Sequence, residues 1–240
     1  MAGSGRRAVA SVLAGAVLAG GLSGCVSTQH KNARAKLVAA RTVDGRRPLR
    51  ITARSRDVRV LGVQLVRAGR RGAVVVTLRN AGAQGVSDVP IAVGVRAPGG
   101  RRVPLNGGHG LEWFQTHVPA IAAGARAVWV FVPRRTPPAG RPWAVAGRGR
   151  AVAVVPSVTA RVHGRAAHGA VRVTLVNGSD IPQYGLQVYA LARAHGRIVA
   201  AGVGSVRHLG SRGQAGAPVA LVGTPGRHTI RIQASATIFE

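Results

Sequence analysis

From Asp57 onward the chain alternates apolar and polar residues over short runs. Val74, Val76 and Leu78 interleave with Val75 and Thr77, and Val89, Ile91, Val93 and Val95 interleave with Pro90, Ala92 and Gly94. Val171, Val173 and Leu175 alternate likewise with Arg172 and Thr174. A period of two puts successive side chains on opposite faces of a strand, the pattern of a half-buried sheet. Clusters of Gly, Asn, Pro and Ser separate the runs. Asn80-Ala81-Gly82 and Asn177-Gly178-Ser179-Asp180 are turn sequences, suited to backbone angles that other residues resist. Further strands are predicted over 127–132, 143–146, 217–222 and 228–238, with a loop over 133–142. No stretch beyond Cys25 keeps a helical period. Many short strands at this spacing predict sandwiches of antiparallel sheets.

The patterning occurs twice. Residues 72–80 (GAVVVTLRN) and 169–177 (GAVRVTLVN) agree at seven of nine positions and lie 97 residues apart. The correspondence runs outward on both sides: 57–65 matches 154–162, while 90–103 and 185–199 end in GRRV and GRIV. A repeat this long exceeds the units of solenoids and suits domains of about one hundred residues. The sequence therefore predicts two tandem all-β domains, 55–148 and 149–240. Residues 25–54 show neither period and are expected to form a flexible, basic tether.

Residues 1–24 are of another kind. Arg6 and Arg7 precede an apolar run, 8–21, followed by Leu22, Ser23, Gly24 and the sole cysteine, Cys25. The run is shorter than the ~20 residues a membrane-spanning helix needs. A basic start, an apolar run and small residues at a cut site make a secretory signal. Leu22 to Cys25 resemble the lipobox of bacterial lipoproteins, whose cysteine receives a diacylglyceryl group before the peptide is cut in front of it. The resemblance implies a mature chain that begins at a lipidated Cys25 on the extracytoplasmic face of the cell membrane. Two acyl chains hold firmly, at about 0.8 kcal/mol per buried CH2. The alternative is an ordinary cleaved signal with a coincidental cysteine. A single cysteine excludes an intramolecular disulfide.

The strand segments carry a second resemblance. Residues 173–180 (VTLVNGSD), 188–192 (VYALA), 195–200 (HGRIVA) and 209–215 (LGSRGQA) resemble the immunoglobulin-like FxLYD domain of bacterial surface proteins. The first copy shows the same order in 76–80 (VTLRN), 100–103 (GRRV) and 118–125 (VPAIAAGA). The likeness covers nearly all of 55–240. It departs at Ala194, where the family commonly has an acidic or polar residue before the His-Gly turn. It implies tandem immunoglobulin-like β-sandwiches at the cell surface and transfers no catalytic residue.

Charge adds a partner class. The formal charge is +28, and Lys31 and Lys36 are the only lysines among 34 basic residues. Such an excess points to a polyanion. Export, only eight aromatic residues for base stacking and no nucleic-acid-binding motif argue against nucleic acid. Coding bias toward Arg, Ala, Gly and Val is a second explanation of equal weight. The densest cluster is Arg46, Arg47, Arg50, Arg54, Arg56 and Arg59, opposed locally by Asp44 and Asp57. Beside a membrane each such charge gains about 1 kcal/mol near anionic lipid. The cluster is thus a candidate contact for lipid headgroups or cell-wall polymers, or else a solvated, self-repelling tether.

Candidate chemistry is sparse. The carboxylates are Asp44, Asp57, Asp88, Glu112, Asp180 and Glu240, and none forms a close sequence pair. Asp88 and Asp180 are expected in loops after strands, bonding nearby backbone. The eight histidines lack zinc-site spacing; His195 and His208 are the pair one hairpin would bring together. No nucleophile elbow or phosphate loop is present. Glu112, Trp113 and Phe114 form the one chemically rich string, read either as an aromatic binding patch or as filler at the end of a core. The expectation is a non-catalytic envelope lipoprotein without cofactor or metal, contacting envelope proteins or anionic polymers. The alternative is a solute-binding receptor or accessory protein with a site between the two domains.

Overall fold

A computed structural model describes residues 28–43 and 49–239. Leu22, Ser23, Gly24, Cys25, Arg46 and Arg47 lie outside the described residues. The first half contains strands β1 (Val58–Ala68), β2 (Arg71–Asn80), β3 (Gly85–Arg96), β4 (Arg102–Pro104), β5 (His117–Ile121), β6 (Arg126–Phe131), β7 (Arg141–Ala146) and β8 (Arg150–Val152). The second contains β9 (Val158–Ala167), β10 (Ala170–Asn177), β11 (Gln183–Ala194), β12 (Arg197–Leu209), β13 (Gln214–Gly223) and β14 (Ile230–Ser235). Every pairing among them is antiparallel. The protein is all-β, as the period-two patterning requires.

The sequence repeat is a repeat of topology. In the first unit one sheet runs β1–β2–β6. In the other, β3 pairs with β5 and β8 through its first half and with β4 and β7 through its second. Asp88 marks the change, with φ at 51° inside β3. The second unit repeats these orders as β9–β10–β13 and β12–β11–β14. Here β12 also pairs with β13 between Ala200 and Val203, joining the two halves into one six-stranded sheet. Gly202 permits this approach, because a Cβ there would collide with the Ala220 carbonyl oxygen. The end strands β9 and β14 then meet around a core that includes Val171, Val173, Leu175, Leu186, Val188 and Val219.

The two units share apolar interior. β2 is buried on both faces, with Val74, Val75 and Val76 each no more than 1% exposed. Directly opposed residues in a sheet project from the same face. Val76 faces Trp129, whose Nε1 donates to the Phe114 carbonyl 3.0 Å away, so this face closes the first unit's own core. Val75 stands between Gln64 and Val130. Gln64 Oε1 accepts from the Ile198 amide at 3.0 Å, so that face meets the second unit. One contiguous cluster accordingly joins Val75 and Val130 to Tyr189, Leu191, Ile198, Ala201 and Val222. The sheet β1–β2–β6 is the middle layer of three.

Helix α1 (Thr28–Val43) overturns the expected flexible tether over much of 25–54. It packs on β11 and on a short 3-10 helix, Trp113–Gln115, with Ala39 only 3% exposed. Its Ala, Lys, Arg and Leu residues favour helix intrinsically. Its contact line is narrow and Leu37 is exposed, so no broad apolar stripe marks it in the sequence. No helix among the described residues is long and apolar enough to cross a membrane.

Candidate functional site

The string Glu112 to His117 is a folded corner. Glu112 caps the 3-10 helix reciprocally with Gln115. Trp113 and Phe114 are buried and meet edge to face, with ring centroids 4.9 Å apart. Trp113 also stacks on His117 and touches Phe239. Its Nε1 donates to Asp88 Oδ1 at 2.6 Å, and Thr116 Oγ1 and His117 Nδ1 share a 2.9 Å hydrogen bond. Trp113 and Phe114 are therefore buried in a corner closed by His117 and Phe239 and do not offer an open aromatic patch. Asp88 lies within β3 and anchors an indole, which corrects its expected place in a loop. Asp180 does lie in a loop, where the Arg212 guanidinium binds it bidentately and holds its carboxyl below the usual value.

Beside this corner a cleft of about 600 Å³ opens between the two units. The first unit contributes Glu112, Phe114 and residues 130–132; the second contributes Gln187, Ser205 and Arg207. One carboxylate and one guanidinium thus stand on opposite walls. The units are fixed across it by hydrogen bonds as well as apolar contact: the Val128 amide donates to Gln233 Oε1 at 3.0 Å, and Ser235 Oγ donates to the Ala120 carbonyl at 3.4 Å. Because Val128 spends its amide away from β2, Val130, two residues on, also points its backbone polar groups away from β2. The cleft can hold a small polar solute or an extended segment. Sequence reading did not reach Gln64, Gln187, Arg207 or Gln233, because their roles exist only once the two units dock.

The predicted basic cluster is only partly within view. Arg50, Arg54, Arg56 and Arg59 are all exposed. Arg59 lies opposite Arg79, which lies opposite Arg126, giving a row of three arginines across β1, β2 and β6. A second basic face spans β9 and β10, where Arg161, His163, Arg165 and Arg172 are exposed. His195 and His208 do not meet: His195 sits in the β11–β12 turn, and His208 stacks on Tyr184 at the far end of β12. Among the described residues no three metal-ligating side chains converge. No family model matches the chain, and no curated protein matches it in sequence.

Proposed function

We propose that the protein is a non-catalytic binding protein of the cell envelope, anchored through an acylated Cys25 and contacting anionic polymers or envelope proteins with its paired β-units. The supporting observation is a large excess of exposed positive charge. Of the four described carboxylates, Asp88 holds Trp113, Asp180 holds Arg212 and Glu112 caps a turn, whereas arginines stand exposed along β1, β9 and β10. With α1 docked on the body, only Val26 and Ser27 separate Cys25 from a structured element. An acylated Cys25 then sets the body against the membrane and does not suspend it on a long leash. Cys25→Ser should move the protein from the membrane fraction to the secreted one. Retention in the membrane, or an unmodified Cys25 by mass spectrometry, would remove the anchor from this reading.

A second reading, a receptor or accessory protein for a small solute, draws on the cleft between the units. Its size fits the ~300–1,000 Å³ range of ligand pockets. A solute that raises the melting temperature of the native protein, and fails to do so after Arg207→Glu, would favour it.

A further inference from the structure

The fold presents one sheet face twice and covers it once. In the first unit this face carries Gln64, Val75 and Val130 in one cross-strand row and Gly62, Thr77 and Val128 in the next. The second unit lies on it. In the second unit the matching rows are His163, Arg172 and Pro218, then Arg161, Thr174 and Gly216. Nothing among the described residues covers these rows, and all of these side chains but half-buried Thr174 are exposed. Where the covered copy is uncharged, the open copy is cationic.

The open face is shaped as well as charged. Arg161 and His163 occupy alternate positions of β9, Arg172 stands opposite His163 on β10, and Arg165 follows just past the bulge at Gly164. Gly216 and Pro218 on β13 raise little bulk, so a trough of about 770 Å³ runs past His163, Arg165 and Arg172, with Arg161 one cross-strand row beyond them. No carboxylate lines it, and no salt bridge neutralises Arg161, Arg165 or Arg172 among the described residues. His163 Nε2 hydrogen-bonds to Thr174 Oγ1, which fixes the imidazole over the trough. Alternate residues of a strand lie roughly 6.6 Å apart. That pitch is close to the separation of successive phosphates on an extended phosphodiester chain, and guanidinium binds phosphate oxygens bidentately.

We propose that the outer face of β9, β10 and β13 binds a linear phosphodiester polymer, with Arg161, Arg165 and Arg172 each engaging a phosphate. The inference deepens the anionic-polymer arm of the function proposed above. Its test is independent of the anchor, because it uses the full chain carrying Cys25→Ser in solution.

The probe is poly(glycerol phosphate), with phosphatidylglycerol vesicles and polygalacturonate as comparison ligands. Arg161→Ser, Arg165→Ser and Arg172→Ser together should weaken polymer binding at least about tenfold. They should also flatten the dependence of log K on log salt by about 2, at ~0.7 per neutralised phosphate on a flexible chain. Arg172→Ser alone should give a smaller loss of the same sign, and circular dichroism should be unchanged because these side chains are exposed. Exposed loop substitutions Arg101→Ser, Arg134→Ser and Arg135→Ser should leave polymer binding within about twofold. The proposal is overturned if the parent chain does not bind the polymer, or if the loop set costs as much as the face set. It is equally overturned if the face set abolishes binding to vesicles or polygalacturonate while sparing poly(glycerol phosphate).

Discussion

Asn80 and Asn177 show how a single residue type is reused. Both are buried at the end of equivalent strands, and both accept through Oδ1 from the amide two residues on, Gly82 and Ser179. Both donate through Nδ2 to the carbonyl four residues on, Gln84 and Ile181. This turn chemistry was legible from sequence, since asparagine satisfies a turn with its own side chain. Tyr189 was not legible in the same sense. It is 1% exposed at the junction, and its hydroxyl has no hydrogen-bond partner among the described residues. Burial pushes its phenol far above the ordinary value of 10.0. Tyr189→Phe should therefore raise stability by about 1 kcal/mol, by removing an unsatisfied polar group. Above pH 10 the unfolded phenol ionises and the buried one does not. Wild-type stability should then fall by about 1.4 kcal/mol per pH unit relative to Tyr189→Phe. Chemical denaturation at pH 8 and pH 11 checks both statements; equal pH slopes would contradict the burial of this hydroxyl.

At the scale of elements, strands such as β10 and β13 declared themselves because one face is dry and the other wet. The predicted runs 127–132, 143–146 and 217–222 fall on β6, β7 and β13. α1 escaped because its contact with the body is a single narrow line. The corner at Trp113 was half legible: the residues stood out, but only folding shows that Asp88, His117 and Phe239 close around the indole. β1, β2 and β6 also carry a local conflict, the row Arg59, Arg79 and Arg126. Like charges directly opposite one another destabilise a sheet. Arg79→Glu should convert two repulsions into two attractions and stabilise by about 1 kcal/mol at low salt, an effect that fades in high salt. A thermal melt at two salt concentrations measures it, and a loss of stability would show that the row is balanced by something else.

The whole molecule is ordered by the middle sheet. The two mismatches within the nine-residue repeat now have a physical meaning. Val75 against Arg172 separates the covered copy of the face from the open one, and Arg79 against Val176 reverses polarity at the strand's end. The duplication was plain in the sequence; that the copies dock asymmetrically was not, because each copy alone predicts the same sandwich. From this docking follow the cleft between the units and the exposed cationic face of the second. All three tryptophans, Trp113, Trp129 and Trp143, belong to the first unit, so their fluorescence reports chiefly that unit, with Trp113 also touching Phe239 of the second. Hydrogen exchange at the β10 and β13 amides reports the second. Equilibrium unfolding followed by both probes tests the shared core most directly. Coincident midpoints are predicted, with both shifted down together by Val75→Asp; two separate transitions, or a shift confined to the tryptophan signal, would contradict it.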